Sequence, residues 1–540
     1  MPHFLQDVLD ALKVYSSRPL IKLLSGSKEG KPSWRTVRYG EFLQDIEKVA
    51  GYWAKHLEVV DVKPNDVVGI WVTGEQYHDL VYLYGLSRAG YTPQMLNKGM
   101  SVGGSAVVID VLAATGAKAI LFDSFYKDYV STMPLVGFEF LDVASIPPLE
   151  RVLPQLPDAD ENDIAIIFHT SGTTSGRPKP IPETQKWVIN QSTLGWAQRY
   201  QGKEEVVVVN NIGSFANVGS ATAVTYISRN GQCLIQTPRP DFDEVEFLAM
   251  IDEGLRFVLL YAPWLSKLVS NAKSNKEVYS ALKKVAQVTY TGAALNPEDE
   301  QWLIKNGIPL TVMYACTETA ACLTSLITEP EHLPSMRPLK NVKCTLIPID
   351  PPKEELDGEN EKRAGGGKFF DLLIPADAPN CPHPTVRNRP TGHITGDLFE
   401  ETAPGFYAFR GRTDDWIRTG KQLIFCDTKG IEDNILREAA DLVKNSVVVG
   451  HYKPGIVLIV EPAVPEPEDE EKLKADILSR HAKYNDRLFF HEQLRSTLQV
   501  ILAAQGTLPR TVEKGNIRRK ATEEQNSKSL EDIYAKLKTW

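Results

Sequence analysis

The sequence predicts an α/β protein with two domains. A large N-terminal domain of parallel-rich sheets and helices takes residues 1–412, and a small α+β domain takes residues 413–540. Three observations predict this. Short apolar runs alternate with amphipathic stretches through the first 150 residues, the order that builds parallel sheets with crossover helices. An apolar strand at residues 164–168 runs directly into a loop of glycines and hydroxyl residues. The charged turn at residues 411–415 then interrupts the pattern, and a segment of mixed character follows.

The elements follow in order. Residues 1–15 set Asp7 and Asp10 among apolar residues at helical spacing; without a basic start or an unbroken apolar run they do not read as a signal peptide. Residues 39–57 carry apolar side chains three and four apart and predict an amphipathic helix. Residues 66–72 (DVVGIWV) predict a buried strand, 76–89 the next helix and 117–122 another strand. Further strands are predicted at 206–209, 256–261 and 285–291. Residues 357–368 (DGENEKRAGGGK) and 375–390 read as loops. The run PAVPEPEDEE at 462–471 reads as an exposed turn entering a helix near Glu471. There is no repeat of fixed period.

Composition narrows the function classes. The chain has 540 residues, with 60 Lys+Arg against 69 Asp+Glu, a net charge of -9. Hydrophobic residues are 42% and charged residues 24%, values of a soluble globular protein. With no overall positive field, a general nucleic-acid binder is not expected. No uncharged apolar run approaches the roughly 18 residues of a membrane-spanning helix. Cys233, Cys316, Cys322, Cys344, Cys381 and Cys426 form no C-x-x-C pair and read as reduced thiols of a cytosolic protein. The terminal Lys538-Thr539-Trp540 is not a peroxisomal address, so a cytoplasmic location is expected.

The strongest local signal is IAIIFHTSGTTSGRPKP at 164–180. Thr170, Ser171, Gly172, Thr173, Thr174, Ser175 and Gly176 follow the strand, and Lys179 adds a positive charge. Small residues let backbone N–H groups converge on an anion, and the hydroxyls add donors, so this loop suits phosphate oxygens. It is not a Walker loop. Three residues separate Gly172 from Gly176, and Arg177 follows where Lys-Ser/Thr would be needed. GSKEGK at 26–31 fails on the same spacing.

The loop resembles the signature of the adenylate-forming superfamily, which includes acyl-CoA synthetases, adenylation domains of non-ribosomal peptide synthetases and luciferases. Thr170, Ser171, Gly172, Thr173, Thr174, Gly176, Pro178 and Lys179 match, with Ser175 inserted. Further segments resemble the family's motifs in the family's order. Gly292, Ala293 and Ala294 resemble the adenine-binding turn. Tyr314-Ala315-Cys316-Thr317-Glu318 resembles Y-G-x-T-E, which implies an adenine-stacking Tyr314, an α-phosphate contact at Thr317 and a magnesium ligand at Glu318. Thr395-Gly396-Asp397 resembles T-G-D, whose carboxylate binds the ribose hydroxyls. In residues 411–418, the resemblance implies that Arg412 contacts ribose and that Asp414 is the hinge of a mobile C-terminal domain. Residues 508–518 (LPRTVEKGNIR) resemble the C-terminal motif with the catalytic lysine.

Lysine and glycine are exchanged in that last motif, so Lys514 is the assigned lysine and Lys520 the alternative. This exchange, the H-T-S-G start and Phe425-Cys426-Asp427-Thr428-Lys429 look like the adenylation domains of fungal reductases related to non-ribosomal peptide synthetases, and point to fungal secondary metabolism.

The resemblance implies ATP- and Mg²⁺-dependent activation of a small carboxylic acid to an acyl-adenylate, then transfer to the thiol of CoA or of a phosphopantetheine carrier protein in trans. About 21 residues follow Arg519, so neither a carrier nor a reductase domain is expected within the chain. Phe215 and Ala216 occupy the place of the acid-pocket segment, where amino-acid-activating domains carry Phe-Asp. An α-ammonium without a carboxylate partner would be costly to bury, so a non-amino acid is preferred. Phe215 serves equally as plain core packing. The alternative function is a catalytically degenerate nucleotide-binding protein of the same fold.

Overall fold

The computed structural model describes residues 1–28, 31–149, 153–170, 178–193, 205–211, 213–237, 239, 242–349, 368–413, 416–420, 424–488, 490–510 and 517–537. Among these, apolar runs form the buried strands of two large sheets. The six-stranded sheet has the order Val136–Glu139, Ala119–Phe122, Val67–Trp71, Thr92–Leu96, Ile164–Thr170 and Lys179–Thr184. Its strands pair in parallel except the last two, which are antiparallel. The nine-stranded sheet runs Arg337–Pro338, Ala320–Thr324, Leu310–Cys316, Gln287–Thr291, Leu255–Tyr261, Val208–Asn210, Cys233–Gln236, Pro19–Lys28 and Lys31–Arg38. Its middle is parallel and both ends are antiparallel.

The predicted helices form at Tyr39–Val59 and Tyr77–Arg88. The second starts where the Gln76 N–H donates to the Asp79 carboxylate at 3.0 Å, satisfying a donor that the helix end leaves open. The strands Pro19–Lys28 and Lys31–Arg38 are additions to the sequence expectation. Lys31–Arg38 is an edge strand, the place in a sheet where a proline such as Pro32 is tolerated.

A four-stranded antiparallel sheet follows, Thr345–Pro348, Lys368–Pro375, Gly392–Ala403 and Phe406–Arg412. Phe370, Leu372 and Phe399 of this sheet share one core with Tyr290, Tyr314 and Leu323 of the nine-stranded sheet. The two sheets therefore meet along an apolar seam, and functional side chains gather at its edge.

The smaller C-terminal part has a pair of strands, Trp416–Thr419 and Ile424–Asp427, and a three-stranded sheet, Val443–Val449, Val457–Pro462 and Val500–Leu502. Helices Thr428–Glu438, Glu470–Asn485, Arg519–Gln525 and Ser527–Leu537 accompany them. A largely buried ion pair ties this part together. Arg519 lies 2.5 Å from the Glu432 carboxylate, which also accepts the Val448 N–H at 2.7 Å. Removing one partner of such a pair strands a buried charge, whereas replacing both by apolar groups does not. Glu432→Leu is expected to cost about 3–5 kcal/mol, and Glu432→Leu with Arg519→Met far less. Urea unfolding followed by circular dichroism checks this; equal losses in single and double variants would show that the pair is not coupled.

Candidate active site

The site is assembled from the ends of four strands. Ile164–Thr170 is buried along most of its length, and Thr170 pairs across the ladder with Lys179. Both ends of the hydroxyl-rich segment therefore emerge at one place. Ser171, Gly172, Thr173, Thr174, Ser175 and Gly176 lie outside the described residues. Lys179 is exposed. His169 anchors the strand: its Nδ1 is 2.9 Å from the Met95 carbonyl and its Nε2 3.1 Å from Gln94 Nε2. Burial lowers its pKa to about 4, so the ring is neutral near pH 7 and structural.

The turn after Gln287–Thr291 holds Gly292, Ala293 and Ala294, all exposed. Gly292 has φ +84°, and a Cβ there would lie 2.7 Å from the Tyr261 ring, so both conformation and contact require glycine. The Tyr261 hydroxyl also approaches Gly213, lying 3.8 Å from where its Cβ would be. One tyrosine thus bridges this turn and the segment preceding Phe215.

Phe215 and Ala216 are buried in the N-terminal core. Phe215 donates its backbone N–H to the Gly74 carbonyl at 2.8 Å. The side chains nearest Gly213 are polar: Asn217 Nδ2 at 3.3 Å and Ser220 Oγ at 3.8 Å from its ideal Cβ.

Tyr314 and Ala315 sit near the end of Leu310–Cys316. The Tyr314 ring meets Phe399 edge-on, with centroids 4.9 Å apart and planes at 83°, an arrangement aromatic quadrupoles favour. Its hydroxyl donates to Asp397 Oδ2. Arg412 Nη1 donates to Asp397 Oδ1 at 3.2 Å and to the Thr395 carbonyl at 3.0 Å. Asp397 and Arg412 face each other in antiparallel register. Gly396, at φ +72°, makes room: a Cβ would stand 3.1 Å from the guanidinium.

Asp397 is 6% exposed, and burial pushes its pKa up to about 6 against the opposing pull of Arg412 and the Tyr314 hydroxyl. Each carboxylate oxygen holds one donor and keeps a further lone pair. That leaves a chelating acceptor pair suited to two adjacent hydroxyls.

Thr317 and Glu318 follow, both half-buried. The Glu318 backbone carbonyl accepts the Trp187 indole N–H at 3.2 Å. Beside Glu318 stands a carboxyl absent from the sequence expectation. Glu183 is fully buried, neither of its oxygens has a hydrogen-bond partner among the described residues, and burial plus the Glu318 charge push its pKa well above the usual range. A lone Glu between Pro182 and Thr184 in a strand gives no sequence signal of burial.

Asp414 and Lys514 lie outside the described residues. The segment carrying Lys514 is closed at its base by the Arg510–Ile517 bridge and by Arg518 N–H on the Pro509 carbonyl at 2.8 Å. Arg510 also pairs with the buried Glu461 at 2.7 Å. Lys520 is exposed on helix Arg519–Gln525.

Comparison with known proteins identifies the family. The AMP-binding enzyme family model matches residues 20–365, and the model of the AMP-binding enzyme C-terminal domain matches 426–538. The AMP-binding domain-containing enzyme iboA of Amanita muscaria is 30% identical over 508 residues, covering 91% of this chain and 95% of that protein. The non-ribosomal peptide synthetase ascB of Acremonium egyptiacum is 23% identical, covering 95% of this chain and 46% of that protein, so the chain spans about half its length. Among solved structures, o-succinylbenzoate CoA synthetase of Bacillus subtilis with ATP and magnesium superposes with a TM-score of 0.70 at 16% identity, over 97% of this chain and 99% of that one. With matches this long and a fold shared end to end, the chain belongs to the AMP-binding enzyme family, within the adenylate-forming superfamily.

Proposed function

We propose that the protein activates a carboxylic acid with ATP, forming an acyl-adenylate and releasing pyrophosphate, and then passes the acyl group to a thiol. The observation that carries this is the buried Asp397 carboxylate, held by Tyr314 and Arg412 with two acceptor positions left for a ribose diol. A nucleotide bound there would set its base beside Tyr314 and the turn Gly292-Ala293-Ala294. Its phosphates would extend past Thr317 towards the segment between Thr170 and Lys179.

The acid's carboxylate oxygen attacks the α-phosphorus, and the bond to the bridging oxygen of pyrophosphate breaks. No protein nucleophile is needed; positioning and charge stabilisation do the work. Residues 170–176 and Lys179 would hold the departing pyrophosphate. Lys514 would neutralise charge developing on the carboxylate and the α-phosphate. Glu318 is a half-buried carboxylate whose backbone is fixed by Trp187, and an oxygen donor of this kind fits Mg²⁺. When bound, Mg²⁺ supplies electrostatic neutralisation of the phosphates.

Residues 1–412 would form the adenylating core, and 413–540 would rotate about Asp414 to admit the thiol. The acceptor is CoA, as in the name of the similar o-succinylbenzoate synthetase, or a phosphopantetheine carrier in trans. Ala216 beside Phe215 leaves an ammonium without a carboxylate partner in that segment, which favours a non-amino acid.

Pyrophosphate exchange across a panel of acids tests the reaction. Lys514→Ala is expected to abolish acid-dependent exchange while retaining nucleotide binding. Normal exchange would move the assignment to Lys520, and nucleotide binding by the wild type without exchange for any acid would mark a degenerate member. Tyr314→Phe removes one donor from Asp397 and is expected to weaken ATP binding by about tenfold, with a smaller loss for 2′-deoxy-ATP; equal losses would place the effect on the base instead.

The pH dependence follows from Asp397. A protonated carboxyl has one acceptor fewer, so nucleotide affinity is full above the raised pKa of about 6 and falls as pH drops through it. Binding of a non-hydrolysable ATP analogue between about pH 5 and pH 8 is expected to show this inflection, and Asp397→Asn to lack it.

A further inference from the structure

We propose that the acid carries a second, neutral oxygen group away from its reacting carboxylate, and that Tyr261 and Asn217 recognise this group beside Gly213. This deepens the adenylating reading and rests on it. Three polar side chains converge on one point. Asn217 Nδ2 lies 3.3 Å from the place a Cβ would take on Gly213, and Ser220 Oγ and the Tyr261 hydroxyl each lie 3.8 Å from it. Gly213 has φ +90° and no side chain, so nothing of its own fills the space between them. Tyr261 reaches this point from the other side of the site. Its strand pairs Tyr261 with Thr291, the residue before the Gly292 turn, and its ring meets Trp264 edge-on with centroids 4.9 Å apart.

The hydrogen bonds around this point are spoken for except at two donors. The Gly213 carbonyl accepts from Ser220 Oγ at 3.2 Å and from Gln236 Nε2 at 3.1 Å, which occupies both its lone pairs. Gln236 Oε1 accepts from Asn210 Nδ2 at 3.2 Å. The Asn211 amide donates to the Gly219 carbonyl at 2.7 Å and to the Tyr226 hydroxyl at 2.8 Å. Asn210, Asn211, Ser220 and Gln236 are all buried, and a satisfied buried network of this kind is rigid. Among the described residues the Asn217 amide and the Tyr261 hydroxyl have no such partner, and both residues are half-buried. Burial raises the Tyr261 pKa, so the hydroxyl keeps a proton to donate.

Two neutral donors on a rigid frame select an oxygen acceptor. A hydrocarbon group placed there would strand both donors away from water, which costs more than the bonds themselves would gain. A second carboxylate would be taken out of water with only neutral groups at this point to meet it, which is also costly. A hydroxyl or carbonyl oxygen avoids both penalties.

The test is pyrophosphate exchange by the full chain with matched acids: levulinate against pentanoate, p-hydroxyphenylacetate against phenylacetate, and glutarate as the dicarboxylate. In the better-used pair the oxygen-bearing acid is expected to lead its apolar partner in kcat/KM by about a hundredfold or more, and to lead glutarate. Tyr261→Phe and Asn217→Leu, with circular dichroism to establish folding, are each expected to cut that lead by about tenfold. A lead held by the apolar acids or by glutarate would overturn the proposal. So would a loss in Tyr261→Phe shared equally by both members of a pair, which would make the ring a packing residue alone. The two readings fail separately: exchange led by apolar acids removes this inference and keeps the adenylating function, whereas absent exchange with every acid removes the adenylating function itself.

Discussion

The site depends on one buried carboxylate. Asp397 is placed where burial disfavours its ionised form, and two donors offset that cost. One is Tyr314, from the nine-stranded sheet; the other is Arg412, the cross-strand neighbour in the four-stranded sheet. The hydrogen bonds therefore span the seam between the sheets. Phe399 adds an apolar contact at the same place, two residues from Asp397 and edge-on to the Tyr314 ring. The core that joins the sheets and the polar cluster at its rim use the same two strands. A shift of one sheet against the other would uncouple Tyr314 from Asp397 and expose the carboxylate together.

Space is allotted with similar economy around this point. Gly396 lets the guanidinium pass close to the backbone, and Gly292 does the same for the Tyr261 ring. Tyr261 thereby touches both the small-residue turn and the Gly213 segment ahead of Phe215. In the proposed reaction these are the base-binding and acid-binding sides, so a single rigid ring would set the distance between the two substrates.

Much of this was legible in the sequence because it is written locally. Strand Ile164–Thr170 followed by hydroxyls and glycines, the Tyr314–Glu318 run and Thr395-Gly396-Asp397 each occupy a few adjacent residues at strand ends. The division into a large part and a small C-terminal part was legible for the same reason. What escaped depends on contacts between distant residues. The Tyr314–Asp397 bond closes over 83 residues and the Trp187–Glu318 bond over 131. Glu183 and Tyr261 sit in ordinary strand patterns, and nothing local tells a buried carboxyl from an edge one. The hairpin of Pro19–Lys28 and Lys31–Arg38 was not among the expected strands, and its place is set by pairing with Cys233–Gln236, far along the chain.

The electrostatics of the site give the last step. Asp397 and Glu318 bring two carboxyl groups to a place proposed to receive a nucleotide polyanion, in a chain of net charge -9. Arg412 is already engaged by Asp397, and Lys179 is exposed to solvent, where its charge is screened. The described side chains thus leave the phosphates short of positive charge, and backbone N–H groups supply only partial charges. A divalent cation held by Glu318 would correct both imbalances at once, the carboxylate charge and the unneutralised phosphates. The nucleotide and the cation would then bind as one unit, each weakly without the other. Lys514 would supply the remaining positive charge only when the C-terminal part is in position, which would tie the chemical step to the placement of that domain.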